Sequence, residues 1–363
     1  MLYDRNATSD GKGRLYYFDN AKFILIFLVV LAHALSPLKD PKAYGDTLGA
    51  NGDLPALLVR ALWSVINYFH MPALIFISGF FAKRYISKSR EIKVQRVATY
   101  VILYLAAQVA VSAFERYVLK VPFSPSFMQA RSSLWFLQCL ITWYVMLPVL
   151  DYFKPGAVMA LSVLFGLIIG YEKNAGDFLA ISRAFVHLPF FMAGYYIKQE
   201  HIEKLFKRKF RWIALAIFAA VAAVCLIKPQ TAISALITCN TPYYKIPALA
   251  AVPRELWWLS RLWFYGIAAA LIVAFLALVP RGKAAFTGLG KETLSVYILH
   301  RFLYLAHLKY QWYLPFASPG GIALLSLIAL ALTVIFSLKP FTLPFHWLQR
   351  IQVRLKGRPD LTT

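Results

Sequence analysis

Four histidines fall inside long apolar runs of the chain: His33, His70, His187 and His300. Imidazole is the side chain whose ordinary proton affinity suits taking and giving a proton near neutral pH. An ionisable group deep in a bilayer is costly unless it faces protein or a water-filled space. Each of the four can equally be a neutral ring hydrogen-bonded to a neighbouring helix. His33 lies eleven residues from Lys22, His70 thirteen from Lys83, His187 eleven from Lys198 and His300 nine from Lys291. At about 1.5 Å per helical residue, all four sit roughly 13–20 Å from one edge. A common depth predicts a shared polar chamber. No two lie at i, i+3 or i+4 and no mid-run carboxylate joins them, so a metal centre is not expected. General acid–base chemistry is the reading these rings favour.

All 16 carboxylates fall in loops or near run ends, Asp19 and Glu115 coming closest to the interior. Proton-coupled transporters usually bury Asp, Glu or His chains, so this distribution weakens a transport reading. Arg183 and Arg301 do lie inside runs. Arg301 adjoins His300, where it either opposes protonation of that ring, binds an anionic group, or serves structure alone. The segment 82–96, AKRYISKSREIKVQR, carries six cations against the single acid Glu91. Lys93 and Arg96 are three apart and share a helix face. With Lys22 they would form a basic mouth fit for the phosphates of a nucleotide-bearing donor such as a coenzyme A ester. The plainer alternative is topology together with attraction to anionic lipid headgroups.

The elements that must hold these groups are helices. The chain has 363 residues, is 60% hydrophobic and carries a formal charge of +23. Apolar content well above the 45–50% of soluble domains makes it an all-α, polytopic membrane bundle. Expected spans are 20–38, 57–81, 97–114, 134–150, 157–171, 180–197, 212–227, 257–279, 292–309 and 321–338, about ten crossings. The runs 157–171 and 212–227 are short enough to be tilted or partly re-entrant. Placing both termini in the cytoplasm puts most of the 39 cations on that side, including the rich loops 82–96 and 198–211. This topology accounts for the basic balance without nucleic acid as a partner. The expected organisation is a cytoplasmic segment 1–18, a transmembrane domain 19–338 and a basic cytoplasmic tail 339–363. The first run is too long, and lacks a small-residue cleavage site, to be a removed signal, so it reads as a retained helix. Cys139, Cys225 and Cys239 have no metal or disulfide spacing. The outer connection 228–256, with Tyr243, Tyr244 and the following Trp257-Trp258, reads as interfacial anchoring or as a lid.

Six segments in order resemble the acyltransferase 3 family of integral-membrane acyltransferases, closest to its fucose 4-O-acetylase-like branch. The first has Asp19, Lys22 and, after ten intervening residues, His33. The second is FHMPALIFISGFF, with His70, Pro72, Ser78, Gly79 and Phe80, and the third is the Lys93-x-x-Arg96 element. The fourth is LWFLQCL with Trp135 and Gln138, the fifth HLPFFMAGYYIK from His187, and the sixth GKETLSVYILH ending at His300. Two departures stand out. Many relatives carry Arg where this chain has Lys22 and Lys93, and the in-membrane acid of some relatives has no counterpart here, Gln138 being a candidate substitute.

The resemblance implies acyl transfer, usually of acetyl, from a cytoplasmic coenzyme A thioester such as acetyl-CoA to a hydroxyl of a cell-surface or secreted carbohydrate, in the cell membrane and without a metal. On that reading His33 is the general base, with Asp19 grouped beside it. Lys22, Lys93, Arg96 and Ser78 hold the donor, and His70, His187, His300, Arg301, Trp135 and Gln138 position the substrates. The Ser78-Gly79 pair also has a plain helix-packing reading. Direct transfer is more economical than a covalent acyl-histidine. The rival is a polytopic carrier that moves a lipid-linked sugar or acyl group without chemistry; labelled acetyl-CoA given to membranes separates the two.

Overall fold

The computed structural model describes residues 16–39, 54–83, 94–122, 126–227 and 234–351. These are helical, with no strand longer than an isolated bridge between Gln129 and Phe178 among them. The principal helices are α1 (Tyr16–Leu35), α2 (Leu54–Ala82), α3 (Val94–Tyr117), α4 (Trp135–Leu150), α5 (Pro155–Ile168), α6 (Ile181–Tyr196), the short α7 (Gln199–Lys204), α8 (Arg208–Ile227), α9 (Ser234–Thr238), α10 (Trp258–Leu278), α11 (Thr293–Lys309), α12 (Pro319–Phe336) and α13 (Lys339–Arg350).

Among the described residues, six segments are long and apolar enough to cross a bilayer: Tyr16–Lys39, Pro55–Ala82, Val94–Tyr117, Arg208–Ile227, Arg254–Leu278 and Pro319–Phe336. The protein is a multi-pass membrane bundle. Length and hydropathy assign six crossings, not the expected ten; α4, α5, α6 and α11, at 16, 14, 16 and 17 residues, fill the other four expected places. The run expected to be short at 212–227 is in fact part of a 20-residue helix, because Arg208–Arg211 continue α8 into the basic loop.

Helix α2 is the centre of the bundle, packing against α1, α6, α8 and α10. Its partner α6 approaches so closely that both supply glycine at the crossing. A Cβ on Gly79 would lie 2.0 Å from the Phe191 carbonyl oxygen, and one on Gly194 would lie 1.9 Å from that of Phe76. Each helix thus offers a Phe-x-x-Gly face to the other, the small-residue packing that lets membrane helices touch backbone to backbone. The packing reading of Gly79 is therefore the one the structure bears out. At the rim, α8 and α12 turn Trp212, Leu215, Val224, Leu324 and Leu327 outward. An apolar belt of this kind suits lipid rather than water.

The start of α1 is stitched to the segment between α10 and α11 at the basic face. Asn20, fully buried, donates to the Pro280 and Gly282 carbonyls at 2.9 Å each and accepts from Thr287 Oγ1 at 2.6 Å. Gly290 lies so near the Asp19 backbone that a Cβ would sit 1.9 Å from its carbonyl oxygen. At the far end, Lys39 Nζ stands 3.9 Å over the Trp63 ring and joins α1 to α2. Ser318 caps α12 by accepting from the Gly321 amide at 3.1 Å, with Pro319 at the first helical position.

Segment 234–257 is a folded cap, not a belt of anchors. Arg183 reaches the Thr238 carbonyl at 3.1 Å, Ser182 that of Cys239 at 2.9 Å and Arg261 that of Leu236 at 3.0 Å. Tyr243 is completely buried, with its ring over Gly170 and its hydroxyl on the Leu167 carbonyl. Residues 339–350 of the expected tail form α13, which touches α3, α11 and α12; residues 352–363 lie outside the described ones.

Candidate active site

Helices α1, α11 and α12 meet around a cavity of about 320 Å³. His33 from α1 and His300 from α11 stand on its wall, with His33 Nδ1 and His300 Nε2 3.2 Å apart. A chain of bonds fixes the tautomers. His300 Nδ1 lies 2.8 Å from the Val296 carbonyl, one helical turn back, and a carbonyl can only accept. Nδ1 of His300 therefore carries the proton, and its Nε2 is the acceptor. His33 Nδ1–H then donates to His300, leaving His33 Nε2 with a free lone pair. His300 thus fixes the orientation of the His33 ring and leaves Nε2 as its proton-accepting atom. The Tyr304 ring lies 4.9 Å from that of His33, and the Arg301 guanidinium stands 4.5 Å over Tyr304. Arg301 is 1% exposed, and its Nε and Nη2 have no protein partner. A buried cation with two open donors suits an anionic or partly anionic ligand group.

His70 and His187 repeat the turn-back bond of His300, with Nδ1 2.8 Å from the Ile66 carbonyl and 2.9 Å from that of Arg183. Neither lines the cavity. His187 instead faces the Trp135 ring at 5.4 Å, and Arg183 lies 5.0 Å from that same ring. Of the four histidines expected in one chamber, the structure brings His33 and His300 into contact. It adds His307, which lines the same cavity and lies 3.2 Å through Nε2 from the Ala34 carbonyl. In the sequence His307 stands beside Lys309 at the end of its run and reads as a terminal residue. Its signal is the seven-residue, two-turn spacing from His300, which puts both on one face of α11.

Other expected residues lie elsewhere. Asp19 pairs with Lys22 at 2.9 Å, fourteen residues and roughly 21 Å of helix from His33, so the structure joins it to Lys22 and not to His33. Gln138 does not substitute for an acid at His33. Its amide donates to Tyr104 at 2.8 Å and approaches the Phe127 carbonyl, tying α4 to α3 and the outer loop. Ser78 donates to the Leu74 carbonyl of its own helix at 2.8 Å. Arg96 lies in the first turns of α3, 5.1 Å from the Tyr100 ring, and Lys93 lies outside the described residues. Among those described, no group of three or more His, Cys, Asp or Glu side chains could hold a metal.

At the basic face, Lys22 and Lys83 top an aromatic cluster. Phe18 stacks on Phe80 at 4.6 Å and meets Phe81 edge-on at 5.2 Å. Lys22 stands 5.9 Å over Phe81 and Lys83 5.2 Å over Phe80. Lys83 also donates to the Ile197 carbonyl. Burial, and then the nearby Lys198 charge, hold its proton affinity below the ordinary lysine value. In the sequence Lys83 marks only the end of its run and the basic side.

No curated protein and no solved structure matches the chain. The family model described as an acyltransferase domain matches residues 15–338, from the first turn of α1 to the end of α12. That span covers nearly the whole described bundle and includes both histidines of the central pair, so the chain belongs to the acyltransferase 3 family of membrane acyltransferases.

Proposed function

We propose that this protein moves an acetyl or other short acyl group from a cytoplasmic acyl-coenzyme A to a hydroxyl of a cell-surface or secreted carbohydrate, in the cell membrane. The observation that carries the reading is the His33–His300 pair on the cavity wall, with the His33 Nε2 lone pair left open. In the reaction His33 takes the acceptor's hydroxyl proton as the oxygen attacks the thioester carbonyl. The new C–O bond forms, the C–S bond breaks, and the proton passes from His33 to the departing sulfur. Base assistance of this kind contributes roughly 10²–10⁴-fold. Arg301 supplies positive charge for the oxygen that becomes negative on the way. Lys22, held by Asp19, joins Lys83, Lys93 and Arg96 in binding the donor's phosphates. Trp135 and His187, whose rings face each other, are assigned together with His70 to positioning the acceptor.

The test is incorporation of labelled acetyl from acetyl-CoA by membranes containing the protein, together with the mass of the cell's polysaccharide. His33→Ala is expected to abolish label transfer while the protein still folds. Wild-type incorporation by that variant overturns the assignment. A pre-steady-state burst would indicate an acyl-histidine instead of direct transfer.

A further inference from the structure

The cavity beside the histidine pair is poor in polar atoms. Beyond His33 and His300 its wall is built mainly from aliphatic and aromatic side chains of α11, α12 and the turn between them, such as Leu303, Leu325, Ala329 and Leu332. Its one further histidine, His307, already bonds the Ala34 carbonyl. A sugar ring placed here would leave most of its hydroxyls without partners, which is unfavourable. A hydrocarbon chain has none to satisfy.

The cavity also has a direction. It begins at His33 and His300 and ends at Trp312 and Phe316 in the turn joining α11 to α12, the end of α11 away from Lys291. A donor with its phosphates at the basic face and its thioester at His33 would send its acyl chain into this space. Apolar cavities of about 150 Å³ accept benzene. At about 320 Å³ this one is far larger than an acetyl group needs.

We infer that the cavity is an acyl-chain pocket, and that the donor carries a hydrocarbon chain several carbons longer than acetyl. This rests on the donor assignment of the proposed function and deepens it. Ala329, 1% exposed on α12, sets the width of the pocket, and Leu332 lines it one turn nearer the basic face.

The experiment uses the full chain in lipid nanodiscs, with binding to empty discs subtracted. Labelled acetyl-CoA is displaced by unlabelled acetyl-, butyryl-, hexanoyl- and octanoyl-CoA. Affinity is expected to rise about fourfold per added methylene until the pocket is full, the factor for burying a CH₂ group. Ala329→Phe is expected to lower the hexanoyl-to-acetyl affinity ratio by roughly tenfold or more, the loss of two methylenes at that factor. Leu332→Ala is expected to extend the series to longer chains, and it decides the matter if Ala329→Phe does not fold. A flat wild-type series with acetyl-CoA still bound overturns the pocket and leaves the donor assignment standing. A rising series that neither variant alters overturns it too, because the chain then lies elsewhere. Inhibition of acetyl transfer by octanol that Ala329→Phe relieves, with a flat donor series, assigns the space to an acceptor's tail and overturns the inference. No acetyl-CoA binding at all removes the donor assignment and the pocket with it.

Discussion

Replacing His300 by alanine takes away the acceptor that holds His33 Nδ1–H while touching neither the proposed base nor the basic face. The 3.2 Å contact is at the long end of hydrogen-bond distances. Its net worth is about 1 kcal/mol, or about fivefold in the fraction of correctly oriented His33. Without His300 the His33 ring keeps only the Val29 carbonyl one turn back; turning of the ring, at a cost of about 1–3 kcal/mol, raises the loss toward roughly 10²-fold. The expected fall in kcat is therefore between about 5- and 100-fold, with the donor KM unchanged. It is smaller than the roughly 10²–10⁴-fold loss expected from His33→Ala. His300→Gln, whose amide oxygen can accept from Nδ1–H, is expected to recover most of the rate. The assay is label transfer from saturating acetyl-CoA by wild type, the single variants and the His33→Ala, His300→Ala double variant. Groups that act as a unit are not additive, so the double variant should be no worse than His33→Ala alone. An unchanged kcat in His300→Ala, or a double variant slower by the full product of the two effects, refutes the orienting role.

Three further expectations follow from the geometry. As pH rises, Lys83 gives up its proton before an ordinary lysine would, because burial and Lys198 oppose its charge; donor KM should climb on the alkaline side, and Lys83→Arg should flatten that climb, whereas identical profiles would remove Lys83 from the phosphate site. Replacing Lys93 and Arg96 together by Ala should raise donor KM about tenfold or more by removing charge-assisted bonds, with little change in kcat, and an unchanged KM argues against a phosphate role. Gly79→Ala forces a Cβ to within 2.0 Å of a carbonyl oxygen across the α2–α6 crossing, so the thermal midpoint in detergent should drop with a cost of about 1–3 kcal/mol; a midpoint equal to wild type would mean the helices part without penalty.

That helices carry the four histidines was legible, because apolar runs of this length in a bilayer satisfy their backbone as helices. Pairing was not. Which imidazole meets His33 depends on how α1 packs against α11, and that contact joins residues 267 apart. The same limit hid the part of the α3–α4 connection, through the Phe127 carbonyl, in holding Gln138, and it let Asp19 be grouped with His33, three to four helical turns away. Gly79 and Gly194 looked like two separate motif fragments, and only their crossing shows that each exists for the other. Tyr243 read as an interfacial aromatic because its partner Gly170 lies on the other side of α6.

The 267-residue interval between His33 and His300 also bears on how the protein is made. Synthesis at about 5–20 residues per second leaves His33 in the bilayer for roughly 13–50 s before its partner exists. Throughout that time α1 carries a lone imidazole among early helices that do not hold the orienting ring. On the proposed mechanism the nascent chain lacks both the orienting ring and the α11 and α12 walls of the cavity until those helices arrive, and the clamp from Asn20 to Thr287, formed over the same interval, closes at nearly the same moment. Ribosome-released fragments ending before residue 293 should accordingly be inert, however well their early helices insert.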